Sequence, residues 1–170
     1  MSQSKADAVS SAPTTAVGVT FNELYSDTRV AMVRLASLLV ASRAEAEELT
    51  QDAYIDLFRQ WDEVLNPAGF LRTLVVRRCT RSRRRQVTER HKLQVLGRRD
   101  DPFNLAGGEP ELDETVAAVR RLTPERRAVV VLRFYEDMSH AQIAAALDCS
   151  VATVRTRLHR ALADLRKEVE

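Results

Sequence analysis

The sequence has few glycines, few prolines and few aromatic residues. Its 170 residues include 5 glycines and 5 prolines, and 5% of the chain is aromatic. In contrast, 45% of the residues are hydrophobic and 29% are charged, which is typical of a soluble helical protein and not of a β-rich or disordered one. We therefore expect an all-α fold, and the length allows two small helical domains.

Cysteine and histidine are also scarce, which argues against several kinds of site. The two cysteines, Cys79 and Cys149, cannot make a disulfide framework, and no Cys-x-x-Cys or paired-histidine spacing favours zinc. His91, His140 and His159 are scattered, and no nucleophile, base and orienting group share a recognisable spacing. We expect no cofactor, no metal and no catalytic residue, so a small helical enzyme is a weak alternative.

Long apolar runs are missing as well. No run approaches the roughly 20 residues needed to cross a bilayer, and the N-terminus lacks the charged start and apolar stretch of a secretory signal. Residues 1–19 are rich in Ser, Ala and Thr without an apolar period, which predicts a disordered tail. We expect a cytoplasmic protein without membrane insertion.

Apolar residues at helical spacing predict three helices in the first half of the chain. One apolar stripe predicts a helix over residues 21–40. Ser42 and Glu45 form a capping-box pattern at the start of a second helix. Asn66 followed by Pro67 is typical of the N-cap and first position of a third helix.

A stretch containing glycines and prolines then predicts a linker between two domains. We assign residues 93–111 to this flexible linker. The first domain is then residues 20–92, and the second is residues 112–170.

The second domain has the pattern of a helix-turn-helix. Ser139 and Gln142 form a capping box before a short helix, a turn follows at Asp148 and Cys149, and Ser150 caps a longer helix. That last helix carries polar side chains away from its apolar stripe, and they suit a DNA major groove better than an ordinary solvated face. They are Thr153, Arg155, Thr156, Arg157, His159 and Arg160.

Charge is segregated in the first half, although the net charge of the chain is only +2. The third helix is overwhelmingly basic, which favours a DNA surface over a simple basic run. Its candidate DNA-binding residues are Arg72, Arg77, Arg78, Arg81, Arg84 and Arg85. The second helix carries an acidic stripe, which is either a solvated face or a docking surface for a basic partner helix. The stripe consists of Glu45, Glu48, Asp52 and Asp56.

Two motifs resemble the extracytoplasmic-function family of bacterial RNA polymerase sigma factors, over roughly residues 21–90 and 112–165. Ala46-Glu47-Glu48-Leu49-Thr50-Gln51-Asp52-Ala53-Tyr54 looks like the helix of that family that binds core RNA polymerase. The resemblance implies that Glu48, Gln51 and Asp52 face the polymerase clamp.

The resemblance also implies promoter contacts in both domains. The segment from Pro67 to Arg85 is similar to the promoter-melting region, and the preceding loop, Trp61 to Gly69, is implied to capture a flipped base of the minus-ten element. The segments 122–127 and 153–161 look like the minus-thirty-five reader, which implies contacts from four residues of the last helix. These are Arg155, Thr156, His159 and Arg160. At position 77 this chain has arginine, where relatives commonly have asparagine.

Taken together, these features predict a sigma factor that binds core RNA polymerase and directs promoter-specific initiation. It would recognise the minus-thirty-five element, melt the minus-ten element and leave bond formation to the polymerase. Promoter DNA and core polymerase are the expected partners, and the resemblance suggests an anti-sigma factor as a third. The alternative is a dimeric helix-turn-helix transcription regulator, which would leave the acidic and basic surfaces of the first half without a role.

Overall fold

The computed structural model describes residues 18–95 and 114–169. Residues 1–17 of the predicted tail and 96–111 of the predicted linker lie outside the described residues. Every regular element in the described ranges is helical, which confirms the all-α prediction. The seven α-helices are α1 (Phe21–Leu39), α2 (Arg43–Arg59), α3 (Pro67–Val95), α4 (Glu114–Arg121), α5 (Pro124–Phe134), α6 (His140–Leu147) and α7 (Val151–Val169). None of these helices is long and apolar enough to span a membrane.

The start of α2 differs from the predicted capping box. The Ser42 hydroxyl accepts from the backbone N–H of Glu45 at 3.2 Å, as predicted. The Glu45 carboxylate, however, does not return to the backbone of Ser42. It accepts hydrogen bonds from Ser82 at 2.7 Å and Gln86 at 2.8 Å, both on α3. Glu45 therefore joins α2 to α3, because a partner from another helix competes with the local cap.

The predicted base-capturing loop, Trp61 to Gly69, is more structured than expected. Its first residues form a short 3-10 helix, Trp61–Glu63, and its last residues already belong to α3. Trp61 is only 1% exposed and packs edge-on against Phe21, with ring centroids 5.2 Å apart. The indole is therefore part of the core and is not available to a base. The Asn66 side chain accepts from the N–H of Gly69 at 3.0 Å, so the predicted start of α3 is confirmed.

The helix-turn-helix in the second half forms as predicted. Ser139 and Gln142 make a reciprocal capping box at the start of α6. Asp148 ends α6 in the left-handed region, with φ of 50°, which turns the chain sharply toward α7. The Ser150 hydroxyl then accepts from the N–H of Thr153 at 3.0 Å and caps the first turn of α7.

The two halves pack against each other across a shared apolar core. The N-terminal half (residues 18–95) and the C-terminal half (residues 114–169) both contribute to one cluster of buried residues. Leu35 and Val75 belong to it from the first half, and Leu132 and Ile143 from the second. Helices α1 and α3 contact α5, and α3 also contacts α6. The halves are thus closely apposed, although the sequence predicts a flexible connection between them. Helix α3 continues through residues 93–95, and Val19 packs against the core.

Candidate polymerase and DNA interfaces

The acidic stripe of α2 faces the basic helix α3 for much of its length. Arg78 donates from Nη1 to Asp52 Oδ2 at 3.1 Å and from Nε to Asp56 Oδ2 at 3.1 Å. Glu45 also faces α3, so three of the four acidic residues have a partner in this chain. A large part of the acidic stripe therefore contacts α3 of the same chain.

Two of the three predicted polymerase contacts remain open to solvent. Glu48 and Gln51 are exposed, and neither makes a hydrogen bond or ion pair within the described residues. The side chain of Asp52 is 47% exposed while it holds Arg78. The three residues lie within two turns of one helix, so they can contact the same partner.

The six candidate DNA-binding arginines of α3 fall into three groups. Arg81 and Arg85 are exposed and have no hydrogen bond or ion pair with the described residues. Arg78 is held by the acids of α2. The other three contact the C-terminal half, and they are Arg72, Arg77 and Arg84. The structure therefore brings the predicted DNA surface together on one helix but leaves only part of it free.

Arg77 makes the most direct of these contacts. Its Nε donates to the carbonyl oxygen of Ala146 at 2.7 Å, and its Nη2 donates to that of Ala145 at 3.0 Å. Both carbonyls belong to the last turn of α6. The carboxyl end of a helix carries partial negative charge and unpaired carbonyls, so a guanidinium is well matched to it.

Two further arginines join the halves from the other side, and the sequence did not single them out. Arg127 on α5 donates from Nη1 to the carbonyl oxygen of Leu39 at 2.9 Å, and Arg120 on α4 donates to that of Ser37 at 2.9 Å. Both carbonyls lie at the carboxyl end of α1, whose last turn has no basic residue of its own. The absence of a basic residue from this turn was the one feature of the sequence that indicated hydrogen-bond donors from another part of the chain.

Arg127 is an unusual residue because it is almost fully buried, with 2% exposure. Burial, together with the nearby charges of Arg83 and Arg120, lowers its pKa to about 10. Burial likewise lowers the pKa of Arg83. Arg127 stays charged at neutral pH. The guanidinium groups of Arg83, Arg120 and Arg127 therefore bring three positive charges together where the halves join.

Helix α7 presents the predicted DNA-reading residues unevenly. Arg155, Thr156, His159 and Arg160 are exposed, while Val154 and Ala161 on the opposite side are fully buried. Two further candidates are less free. Thr153 bonds the Ser150 hydroxyl at 2.8 Å, and Arg157 is half-buried beside the Cys149 sulfur at 3.9 Å.

Neither cysteine forms a disulfide, and the described residues contain no cluster of His, Cys, Asp and Glu that could hold a metal ion. Cys79 is buried on α3, and desolvation raises the pKa of its thiol to about 12. The thiol is therefore neutral and packs as a small apolar group.

Comparison with known families assigns both halves of the chain. The family "Sigma-70 region 2" matches residues 24–88, and "Sigma-70, region 4" matches residues 112–165. Sigma-70 factors bind core RNA polymerase and direct it to promoters.

Individual relatives agree with this match. The chain is 34% identical to an RNA polymerase sigma-E factor of Streptomyces avermitilis over 154 residues, which cover 88% of this chain and 85% of that protein. It is 31% identical to the ECF RNA polymerase sigma factor SigE of Mycolicibacterium smegmatis, with 86% of this chain and 60% of that protein covered. This chain belongs to the extracytoplasmic-function sigma factors of the sigma-70 family. It is a sigma factor, and its region 4 implies promoter recognition.

A solved structure shares the fold. The sigma factor RpoE of Bartonella quintana, crystallised with the anti-sigma factor NepR, has a TM-score of 0.65 and 20% sequence identity, covering 88% of this chain and 96% of that one. The matches to both halves also distinguish this chain from a helix-turn-helix regulator that dimerises on an operator.

Proposed function

We propose that three surfaces of this sigma factor divide the work of initiation. Glu48, Gln51 and Asp52 on α2 bind the clamp of core polymerase. The arginine face of α3 binds the minus-ten region and stabilises its opened strand. The exposed face of α7 reads the minus-thirty-five element in the major groove. The polymerase forms the phosphodiester bonds, so this chain supplies recognition and strand separation and no catalytic group.

The observation that carries this proposal is the charge and exposure of α7. Arg155, Thr156, His159 and Arg160 form one exposed face opposite a buried stripe, on the second helix of a helix-turn-helix. Arginine can donate two parallel hydrogen bonds to a guanine edge, and threonine and histidine can make single bonds to bases or phosphates. No residue of this face is needed for packing, so the face is free to enter a groove.

The role of α3 rests on chemistry of the same kind. Arg81 and Arg85 point into solvent on a helix whose sequence is dense in arginine. Such a surface attracts phosphates and releases their counterions on binding. Because Trp61 is buried, the capture of a flipped base would have to involve other residues of the preceding segment.

Two further proposals concern where the protein acts and what controls it. A factor that works with polymerase on chromosomal promoters acts in the cytoplasm, and in the nucleoid when bound to polymerase. The RpoE neighbour is held by an anti-sigma factor, and we infer a partner of that class for this chain. A pull-down from the native cell that recovered only polymerase would argue against it.

The test is transcription of sheared genomic DNA by purified bacterial core polymerase, with and without this protein, with every new start site mapped. We expect new starts that share a two-part upstream element. Active core and folded protein without new starts would contradict the proposal.

Two variants in the same assay separate the surfaces. Glu48→Arg should abolish co-elution with core polymerase, because it reverses an exposed charge that has no internal partner. Arg160→Ala should retain co-elution and weaken use of the upstream element, by about 1–3 kcal/mol if it reads a base. Equal transcription by the Arg160→Ala protein would remove that residue from the reader.

A further inference from the structure

A groove of about 580 Å³ lies between α1, the start of α2, α4 and Tyr135 at the end of α5. Its size falls within the range of roughly 300–1,000 Å³ that is typical of sites for small molecules. No described residue that lines it belongs to the proposed polymerase-binding or DNA-binding surfaces. We propose that this groove, which we call the α1–α4 groove, binds a purine nucleoside polyphosphate. Its arginines hold the phosphates and Tyr135 stacks on the base. This site goes beyond the proposed function and does not depend on it.

The α1 wall of the groove combines positive charge with apolar surface. Residues four apart on a helix lie on the same side, and two neighbouring rows of α1 line the groove. Each row carries one arginine among apolar or small side chains. The rows are Arg29, Val33 and Ser37, and Val30, Arg34 and Leu38. Such a wall suits a ligand that is anionic at one end and flat and apolar at the other.

Three arginines bring positive charge to the groove that the described residues do not neutralise. Arg29 and Arg34 are exposed, and neither makes a hydrogen bond or ion pair within the described residues. Arg120 on α4 donates from Nη2 to the carbonyl oxygen of Ser37 at 2.9 Å, but its buried Nε has no acceptor among the described residues. Like charges on one surface repel each other, so an anion bound among them relieves this repulsion.

The groove has one carboxylate to set against its arginines. Glu47 lines the groove and accepts from Arg43 Nε at 3.0 Å, so it neutralises that arginine first. Guanidinium groups bind phosphate oxygens through charge-assisted hydrogen bonds, and several guanidiniums suit a ligand with several anionic groups. An ionised carboxylate has more acceptor positions than one donor fills, so Glu47 can also accept from a ribose hydroxyl.

The apolar part of the groove is exposed to an unusual degree for side chains of this kind. Val30 is 61% exposed and Tyr135 is 51% exposed, and Val116 lines the groove with them. An aromatic ring that is open to solvent beside positive charge is a platform on which a base can stack. A two-ring purine covers more of this surface than a one-ring pyrimidine, which favours a purine nucleotide over inorganic phosphate.

The groove also joins the two halves of the chain. Its α1 and α2 walls belong to the N-terminal half, and α4 and Tyr135 belong to the C-terminal half. A ligand that binds the folded chain and not the unfolded one stabilises the fold in proportion to its occupancy. Nucleotide binding should therefore raise the melting temperature of the protein.

The experiment measures binding of ATP and of GTP to the full chain at physiological ionic strength. Isothermal titration calorimetry gives the affinity, and thermal denaturation gives the shift in melting temperature. Adenosine and inorganic tripolyphosphate separate the contributions of base and phosphate. The variants are Arg34→Ala, Tyr135→Ala and Tyr135→Phe, and far-UV circular dichroism checks their helix content. Arg81→Ala is the matched control, because it removes an exposed, unpaired arginine from α3 instead of from the groove.

At least one of the two nucleotides should bind saturably and raise the melting temperature. Adenosine and tripolyphosphate should each bind at least about tenfold more weakly, because each makes only part of the contacts. Arg34→Ala should weaken nucleotide binding about tenfold through the loss of charged hydrogen bonds. Tyr135→Ala should weaken it by about the same factor, and Tyr135→Phe should not, because the ring remains. Arg81→Ala should leave the affinity unchanged.

Four results would overturn the proposal. The first is the absence of saturable binding of either nucleotide. The second is equally tight binding of tripolyphosphate or of a tetraglutamate peptide, which would make the groove a general site for anions or acidic peptides. The third is a loss of affinity in Arg81→Ala as large as in Arg34→Ala, which would place the nucleotide on the DNA-binding surface.

The fourth result comes from photolabelling, which needs no variant. An azido-purine analogue of the tighter nucleotide is irradiated with the wild-type protein, and the labelled peptides are identified by mass spectrometry. Label should appear in α1 or at the end of α5. Label confined to α3 or α7 would contradict the assignment to the α1–α4 groove.

Discussion

Arg127 illustrates how one residue can matter more to this fold than its sequence context indicates. It follows Arg126 in a run that reads as a solvated, basic helix start, yet its side chain lies in the interior and reaches three backbone carbonyls. Those carbonyls belong to Leu39, Arg120 and Leu122. Burial of a charge is tolerated because backbone acceptors take the place of water.

We predict that Arg127→Ala lowers the free energy of unfolding by about 2–3 kcal/mol, since buried carbonyls lose their donors. Arg126→Ala is the control, because it removes only a partly exposed pair with Asp164, for which we expect about 0–1 kcal/mol. Urea denaturation followed by circular dichroism measures both values. Equal values for the two variants would contradict the structural role given to Arg127.

The two cysteines should differ sharply in reactivity. Cys79 is buried with a pKa raised to about 12, whereas Cys149 is half-buried in the turn before α7. The thiolate is the reactive form, so we expect Cys149 to react with a disulfide reagent first and Cys79 only when the chain unfolds. The absorbance of the thiol released from the reagent, followed over time with native and with urea-treated protein, tests this. Two equivalents released rapidly from native protein would contradict it.

At the scale of single elements, the sequence predicts best what is local. The boundaries of α1, the start of α3 and the capping box of α6 follow from residues within one turn of each other, and the structure confirms them. The apolar stripe of α7 is equally local, because its period fixes which side is buried.

Prediction fails where a local pattern competes with a distant partner. Ser42 and Glu45 fit the capping box, but Ser82 and Gln86 offer Glu45 two donors from α3. Trp61 fits an exposed loop, but it is drawn into the core by aromatic neighbours that include Phe21. Periodicity describes one helix at a time, so it carries no information about which faces of two helices meet.

The short helix α6 should depend strongly on its cap. It has only 8 residues. The Ser139 hydroxyl accepts from the backbone N–H of Gln142, and the Gln142 side chain accepts from the backbone N–H of Ser139. Ser139→Ala should lower the free energy of unfolding by about 1 kcal/mol. Ser139→Asn should lower it much less, because asparagine can still cap the helix. Thermal denaturation of the three proteins tests the difference. Indistinguishable alanine and asparagine variants would show that the cap contributes nothing.

At the scale of the whole molecule, the shared core predicts that the two halves unfold together. The chain has one tryptophan, Trp61, and it lies in the N-terminal half. Ile143 lies in the C-terminal half, fully buried in the cluster to which both halves contribute. A substitution that disturbs the packing around Ile143 should therefore also destabilise the surroundings of Trp61.

We predict that Ile143→Ala lowers the melting temperature by about 5–10 °C, because it opens a cavity in that cluster. The Trp61 fluorescence transition should shift as far as the circular dichroism transition. Tryptophan fluorescence that melts at the wild-type temperature in this variant would mean that the halves unfold independently.

The sequence predicted two helical halves, but it did not predict that the halves pack together. One reason is physical: several of the polar contacts that join the halves run from arginine side chains to backbone carbonyls, as with Arg77 on Ala145 and Arg127 on Leu39. Backbone acceptors are present at every residue and leave no trace in composition or motif.

That choice of acceptor also has a consequence for how such a protein can diverge. A carbonyl at the end of a helix is supplied whatever the side chain of its residue. Side chains on α6 can therefore change while Arg77 keeps the same two acceptors. Substitution along the helix-turn-helix and the packing of the two halves are thus separable in evolution.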